Sequence, residues 1–149
     1  MYSTKEKQIF VSLVTSMLIF GLYSLYVYHN YIAGHPEVLN DFKFWGKAFL
    51  IFIPVAIVVQ IIIHIIFAII NKIVTNEDVS TMSDEMDKFI ELKALRISHW
   101  IFTLGFFLAM GSQAIEMPPF MMFIILICSG LVSSVVEGIA QIYFYRKGV

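Results

Sequence analysis

Three ionisable side chains stand in stretches that are otherwise apolar: His64, His99 and Glu137. In a lipid interior such groups are costly, so each one marks a place where proton or ion chemistry would be carried out. A buried Glu and His together would also supply an acid and a base. Their neighbours are polar at helical spacing. Ser133, Glu137 and Gln141 recur every fourth residue, and so do Gln60, His64 and Ala68. Residues four apart share one face of a helix, and Ser12, Thr15 and Ser16 fall at a comparable level. Counted from the nearer helix end at 1.5 Å per residue, Glu137 and His64 both lie about 10 Å below the surface, and His99 about 4 Å. The reading is an intramembrane polar layer of Glu137, His64, Gln60, Ser133 and Gln141. It serves either as a hydrogen-bonded clasp that sets helix register or as a proton-coupled site. Beside it Gly130, Ser134 and Gly138 form a small-xxx-small stripe, the pattern that lets helices approach closely, and are expected to be packing positions.

Other chemistry has little support. The chain contains no Gly-x-Ser-x-Gly, His-Glu-x-x-His or phosphate-loop pattern, so no catalytic residue is assigned. No two histidines oppose each other at one depth, which argues against haem. His29, His35, Glu37 and Asp41 are spaced too irregularly for a metal site. No cofactor or metal is expected. Cys128 is a single cysteine in an apolar run and reads as a small buried residue.

These side chains must be positioned by membrane helices. The 149 residues are 59% hydrophobic and 14% charged, against about 25% charged in a soluble domain. No Asp, Glu, Lys or Arg occurs in 8–36, 48–71 or 97–115, and Glu137 alone breaks 117–145. A run of about 20 apolar residues suffices for a helix to cross a hydrocarbon core of about 30 Å, whereas open strands would leave backbone groups unpaired in lipid. The expected fold is all-α: one transmembrane domain over 1–149, an integral membrane four-helix bundle. Its helices cover about 8–28, 45–71, 97–115 and 118–145. The first run is too long, and too rich in tyrosine at its end, for a cleaved signal peptide. Without an internal repeat, an inverted-repeat transporter is not supported. The short turn at Glu116 forces helices three and four into an antiparallel hairpin, and Pro54 is expected to kink helix two.

Orientation follows from Lys and Arg, which stay on the cytoplasmic side. Both termini and the 71–96 loop inside would place Lys5, Lys7, Lys72, Lys88, Lys93, Arg96, Arg146 and Lys147 in the cytoplasm. Only Lys43 and Lys47 would be outside. Tyr28, Tyr31, Phe44 and Trp45 then mark the outer interface, and Trp100, Tyr143 and Tyr145 the inner one. The expected location is the cell (plasma) membrane, multi-pass.

The inner loop carries the strongest charge pattern. Ser83 suits an N-cap, and Asp84, Glu85 and Asp87 suit the positive end of a helix. A short cytoplasmic amphipathic helix over about 84–96 should run into helix three. Its acids, Asp84, Glu85, Asp87 and Glu91, are candidates for docking a partner protein. A divalent cation on Asp84, Asp87 and Glu91 is a lesser alternative. The pattern Asp84-Glu85-x-Asp87-x-x-Ile90-Glu91-x-Lys93, followed by Arg96-x-Ser98 and the Tyr-Arg-Lys-Gly ending at 145–148, resembles a family of small bacterial and archaeal predicted membrane proteins of unknown function. The resemblance covers about 83–149. The family pattern has Arg at the third motif place, where this chain has Met86, and it implies no activity.

The function expected is non-enzymatic: a small membrane subunit or regulator acting through protein contacts. The alternative is a dimeric proton-coupled transporter using Glu137. In general plan this resembles the small multidrug exporters, which carry their acid in the first helix rather than the fourth. The expected partners are the lipid bilayer and a second copy or another membrane or cytoplasmic protein. The net charge of −1 gives no reason to expect nucleic acid.

Overall fold

The computed structural model describes residues 4–77 and 85–148. They form helix α1 (Thr4–Val27), a π-helical turn (Tyr28–Ile32), a 3-10 turn (Pro36–Asn40) and helices α2 (Phe42–Thr75), α3 (Glu85–Ala114) and α4 (Pro119–Lys147). No strand occurs among the described residues. All four long helices are long and apolar enough to cross a membrane. Ser83 and Asp84 lie outside the described residues.

Helix α2 outruns its apolar stretch at both ends, where polar groups hold the next turn. At the start of α2 the Asp41 carboxylate accepts from the Lys43 amide at 3.0 Å, an N-cap that extends the helix three residues before Trp45. At its end Asn76 takes a left-handed conformation (φ 57°) and donates its N–H to the Lys72 carbonyl. The side chain of Asn71 donates to the Glu77 carbonyl at 3.1 Å. Between these caps α2 runs 34 residues through Pro54 without interruption, about 51 Å at 1.5 Å per residue.

The segment over 85–96 is continuous with helix three and makes up the first two-fifths of α3. The α3–α4 turn closes with the Met117 amide on the Ser112 carbonyl at 3.0 Å and the Glu116 amide on that of Gln113 at 3.1 Å. This pair is the Schellman pattern, and Glu116 occupies its left-handed position with φ 64°, where glycine is usual.

Buried positions on α3 are Ile90, Ala94, Ser98, Gly105, Ala109 and Ser112, a stripe of mostly small residues along one face. It packs against α4, and a Cβ placed on Gly105 would overlap the Ser129 side chain. On another side of α4, a Cβ on Gly138 would come within 2.7 Å of Leu13 Cγ in α1. In turn α1 packs against α2: Tyr23 donates to the Ala48 carbonyl at 2.7 Å, and its ring lies 5.3 Å from Phe52. The helices therefore pack in the order α2, α1, α4, α3. More than half of the large apolar side chains, including Ile57, Ile61, Ile65 and Ile69 of α2, are exposed. That surface suits a solvent of lipid, where small residues rather than greasy ones hold helices together.

Candidate functional site

The helix order leaves α2 splayed from α4 in the middle of the bundle. At one end α2 is tied to α4 by Trp45, whose ring stacks on Phe123 at 5.6 Å. From there a cavity of about 780 Å³ runs between α2 and α4, with α1 as its floor. Its walls are apolar, among them Phe49, Phe52, Phe102 and Leu126, apart from Ser16, Gln60, His64 and Ser134.

The polar end of this cavity is built by α1 and α2. The Gln60 amide nitrogen donates to Ser16 Oγ at 2.8 Å and to the Ser12 carbonyl at 3.3 Å. Those two bonds orient the amide and turn Gln60 Oε1 away from α1. Gln60 Oε1 and His64 Nδ1 are both buried, yet neither has a hydrogen-bond partner among the described residues. Each such atom costs about 1–3 kcal/mol when unmatched.

His64 also borders a second, polar pocket of about 240 Å³, lined by Lys5, Gln8, Ser12, Asp87, Glu91, Gln141 and Tyr145 among others. This pocket lies where α1 and α3 begin and α4 ends. Here Tyr145 donates to Asp87 Oδ1 at 2.6 Å, and Lys5 Nζ lies 3.7 Å from Asp87 Oδ2. Arg146 Nε lies 3.6 Å from Glu6 Oε2, with Glu6 5% exposed despite its charge. Lys93 sits 4.7 Å over the Phe144 ring. The start of α1 and the end of α4 are thus pinned at the same end of the bundle.

The polar residues picked out in the sequence fall into two groups. Gln60 and His64 face α1 and the cavities. Ser133 is buried towards α3, beside Ser98 and His99, and donates to its own helix at the Gly130 carbonyl. Glu137 takes one long bond of 3.5 Å from Gln141. No hydrogen bond or ion pair joins Glu137 to His64 among the described residues. The layer divides because residues four apart rotate by about 40° per step on a helix of 3.6 residues per turn. Over two steps the stripe turns from α3 at Ser133 towards the polar pocket at Gln141.

The packing positions and the docking acids each divide in the structure. Of the small residues on α4, Gly138 packs on Leu13, but a Cβ on Gly130 would meet nothing within 4 Å, and both Gly130 and Ser134 line the open cavity. The close contact to α3 is made one residue away, at Ser129 and Ser133. Among the proposed docking acids, Glu85 and Glu91 are exposed, whereas Asp87 turns inward to Tyr145 and Lys5. Asp84 lies outside the described residues. The small residues of α3 carry a sequence signal of the same kind, since Ala94–Ser98 and Gly105–Ala109 have the same spacing of four. His35 lies 3.4 Å from Glu37 and Asp41 caps α2. No group of three or more metal-ligating side chains occurs among the described residues.

Comparison with known proteins returns no match: no family model, no curated protein and no solved structure.

Proposed function

We propose that this chain is a non-enzymatic, multi-pass subunit or regulator that works through helix contacts inside the cell membrane. The observation that carries the reading is the placement of α2. It packs on α1, meets α4 at the Trp45–Phe123 end, and leaves its isoleucine-rich sides bare over most of its length. A spanning helix with that much free surface offers contact area to another membrane helix, while Asp87 is already engaged within the chain. Exposed Glu85 and Glu91 remain for a cytoplasmic partner. Both termini lie in the cytoplasm in this reading, supported by the eight-to-two division of Lys and Arg. The motif at 84–93 supports kinship with the small prokaryotic membrane proteins that it resembles, with no activity implied. Purification from the native membrane in mild detergent, followed by intact-complex mass measurement, tests the proposal. A stoichiometric protein partner is expected. A chain that is monomeric and alone under every mild condition would overturn it.

One observation favours a second reading, a dimeric proton-coupled transporter. Gln141 lines the polar pocket and also donates to Glu137, so a path of polar groups leads from the end of the bundle to the membrane carboxyl. Glu137→Gln should then abolish proton-driven flux in proteoliposomes, and unchanged flux would exclude this reading.

A further inference from the structure

Arg96 is the last charged residue before the uncharged run of α3. From Arg96 to the end of the helix at Ala114 is 18 residues, about 27 Å at 1.5 Å per residue. That nearly matches a hydrocarbon core of about 30 Å, so Arg96 stands where headgroups meet acyl chains. It is exposed, and no Asp or Glu pairs with it among the described residues. By contrast Lys5 and Arg146, at the same end of the bundle, face Asp87 and Glu6.

Arg96 borders a pocket of about 580 Å³ at the seam of α3 and α4, whose other walls are Leu92, Leu95, Ser98, His99 and Phe102 of α3 and Ser133 of α4. Ser98 and Ser133 are buried, whereas Arg96 and His99 are exposed and open to a ligand. Residues three apart on a helix are neighbours, with about 5–6 Å between Cβ atoms, so one group can touch both. Each Cα–Cβ bond tilts towards the helix N-terminus, which for α3 is the polar end. Both side chains therefore lean towards headgroup level, while Phe102 lies six residues, about 9 Å, further in.

The ligand follows from this order of groups. Arg96 is the only Asp, Glu, Lys or Arg in the lining, so the polar part must be anionic. A guanidinium presents its donors in a planar fork that matches phosphate oxygens, and His99 adds a ring N–H. The apolar part must run from there into the membrane, past Leu95 and Phe102. A free anion makes no use of that wall, and a water-soluble peptide does not follow it into hydrocarbon. A phospholipid carries both parts in this sequence. In the orientation proposed above, this end faces the cytoplasmic leaflet, which is the negative one.

We propose that the α3–α4 seam holds an anionic phospholipid, its phosphate on Arg96 and His99 and one acyl chain along Leu95 and Phe102. This site is independent of whether the chain works as a subunit.

Trp100 is exposed and stands one turn past Arg96, and it becomes the sole tryptophan reporter in a Trp45→Phe chain. That full chain is reconstituted in phosphatidylcholine vesicles containing rising fractions of brominated phosphatidylglycerol or, separately, brominated phosphatidylcholine. Both leaflets are alike, so the result does not depend on orientation. Quenching of Trp100 should show phosphatidylglycerol preferred about fivefold, the ratio for about 1 kcal/mol from one basic residue at a membrane surface. Arg96→Gln should bring the ratio close to one. Lys88→Gln removes the same charge about two turns nearer the helix start and should leave the ratio unchanged. Equal quenching by the two lipids in the Trp45→Phe chain would overturn the proposal, and that comparison needs no further variant. An equal fall in Lys88→Gln and Arg96→Gln would replace the site by diffuse attraction to a charged helix end. A preference that survives Arg96→Gln and His99→Leu together would overturn the assigned residues. Millimolar inorganic phosphate at constant ionic strength should not displace the lipid, and displacement would make free phosphate the ligand instead.

Discussion

Tyr145, in the last turn of α4, donates a 2.6 Å hydrogen bond to Asp87 in the first turn of α3, 58 residues away in the chain. The acceptor is a carboxylate that is 18% exposed at its side chain and also faces Lys5 at 3.7 Å. Three helices are therefore tied at one end by a single carboxylate. Charge-assisted bonds of this length are the strong ones, and Asp87 stands in the first turn of α3, at the helix's positive end.

Replacing Tyr145 by Phe keeps the ring and removes the bond. A loss of about 1–2 kcal/mol is expected, measured as a lower midpoint of thermal unfolding in detergent. Lys5→Met should cost less, within about 1 kcal/mol, because that pair is longer and Lys5 is about one-third exposed. The reverse order would show that the ion pair, not the phenol, holds the clasp.

Two glycines of α3 should respond in opposite ways. Gly105→Ala drives a methyl group into Ser129 and should destabilise the hairpin by about 1–3 kcal/mol. Gly111 has open space where its Cβ would be, so Gly111→Ala should be neutral or stabilising by up to about 1 kcal/mol. Denaturant titration of the two variants side by side separates packing from helix propensity, and Ser129→Gly should restore much of the Gly105→Ala loss.

Glu116 holds a left-handed backbone with φ 64° at the close of the α3–α4 turn. Glycine reaches that conformation without the steric cost borne by other residues. Glu116→Gly should stabilise the protein by about 0.5–1 kcal/mol, and a drop in unfolding midpoint would mean that the carboxylate itself contributes there.

Membrane orientation is open to labelling, since Cys128 is the single cysteine. In a Cys128→Ser background, Glu37→Cys should react with a membrane-impermeant maleimide on intact cells. Lys147→Cys should react only after permeabilisation. Labelling of both on intact cells would reject the cytoplasmic assignment of the C-terminus.

The positions of the spans were legible because lipid imposes a rule on every residue of a segment. About 20 consecutive positions must be apolar, and no contact elsewhere in the chain is needed to read that. Helix ends were less legible. The Asp41 cap and the Asn71–Glu77 bond extend α2 beyond its apolar run, and such local bonds do not change hydropathy. The depth of the polar residues could be counted, but their direction could not. Ser133, Glu137 and Gln141 drift around α4, and only the packing of that helix between α1 and α3 determines what each one meets.

By itself, then, the sequence determined an all-helical chain with four stretches long and apolar enough to cross a membrane and three ionisable groups within them, since these depend on composition along one dimension. The tertiary structure decided the rest: that Asp87 closes on Tyr145 and Lys5, that Gly105 rather than Gly130 makes the close helix contact, and that Gln60 and His64 border a cavity without pairing to Glu137. Those outcomes depend on how far each helix is rotated about its axis and on which neighbour it meets, and both are set by small residues that allow backbones to touch.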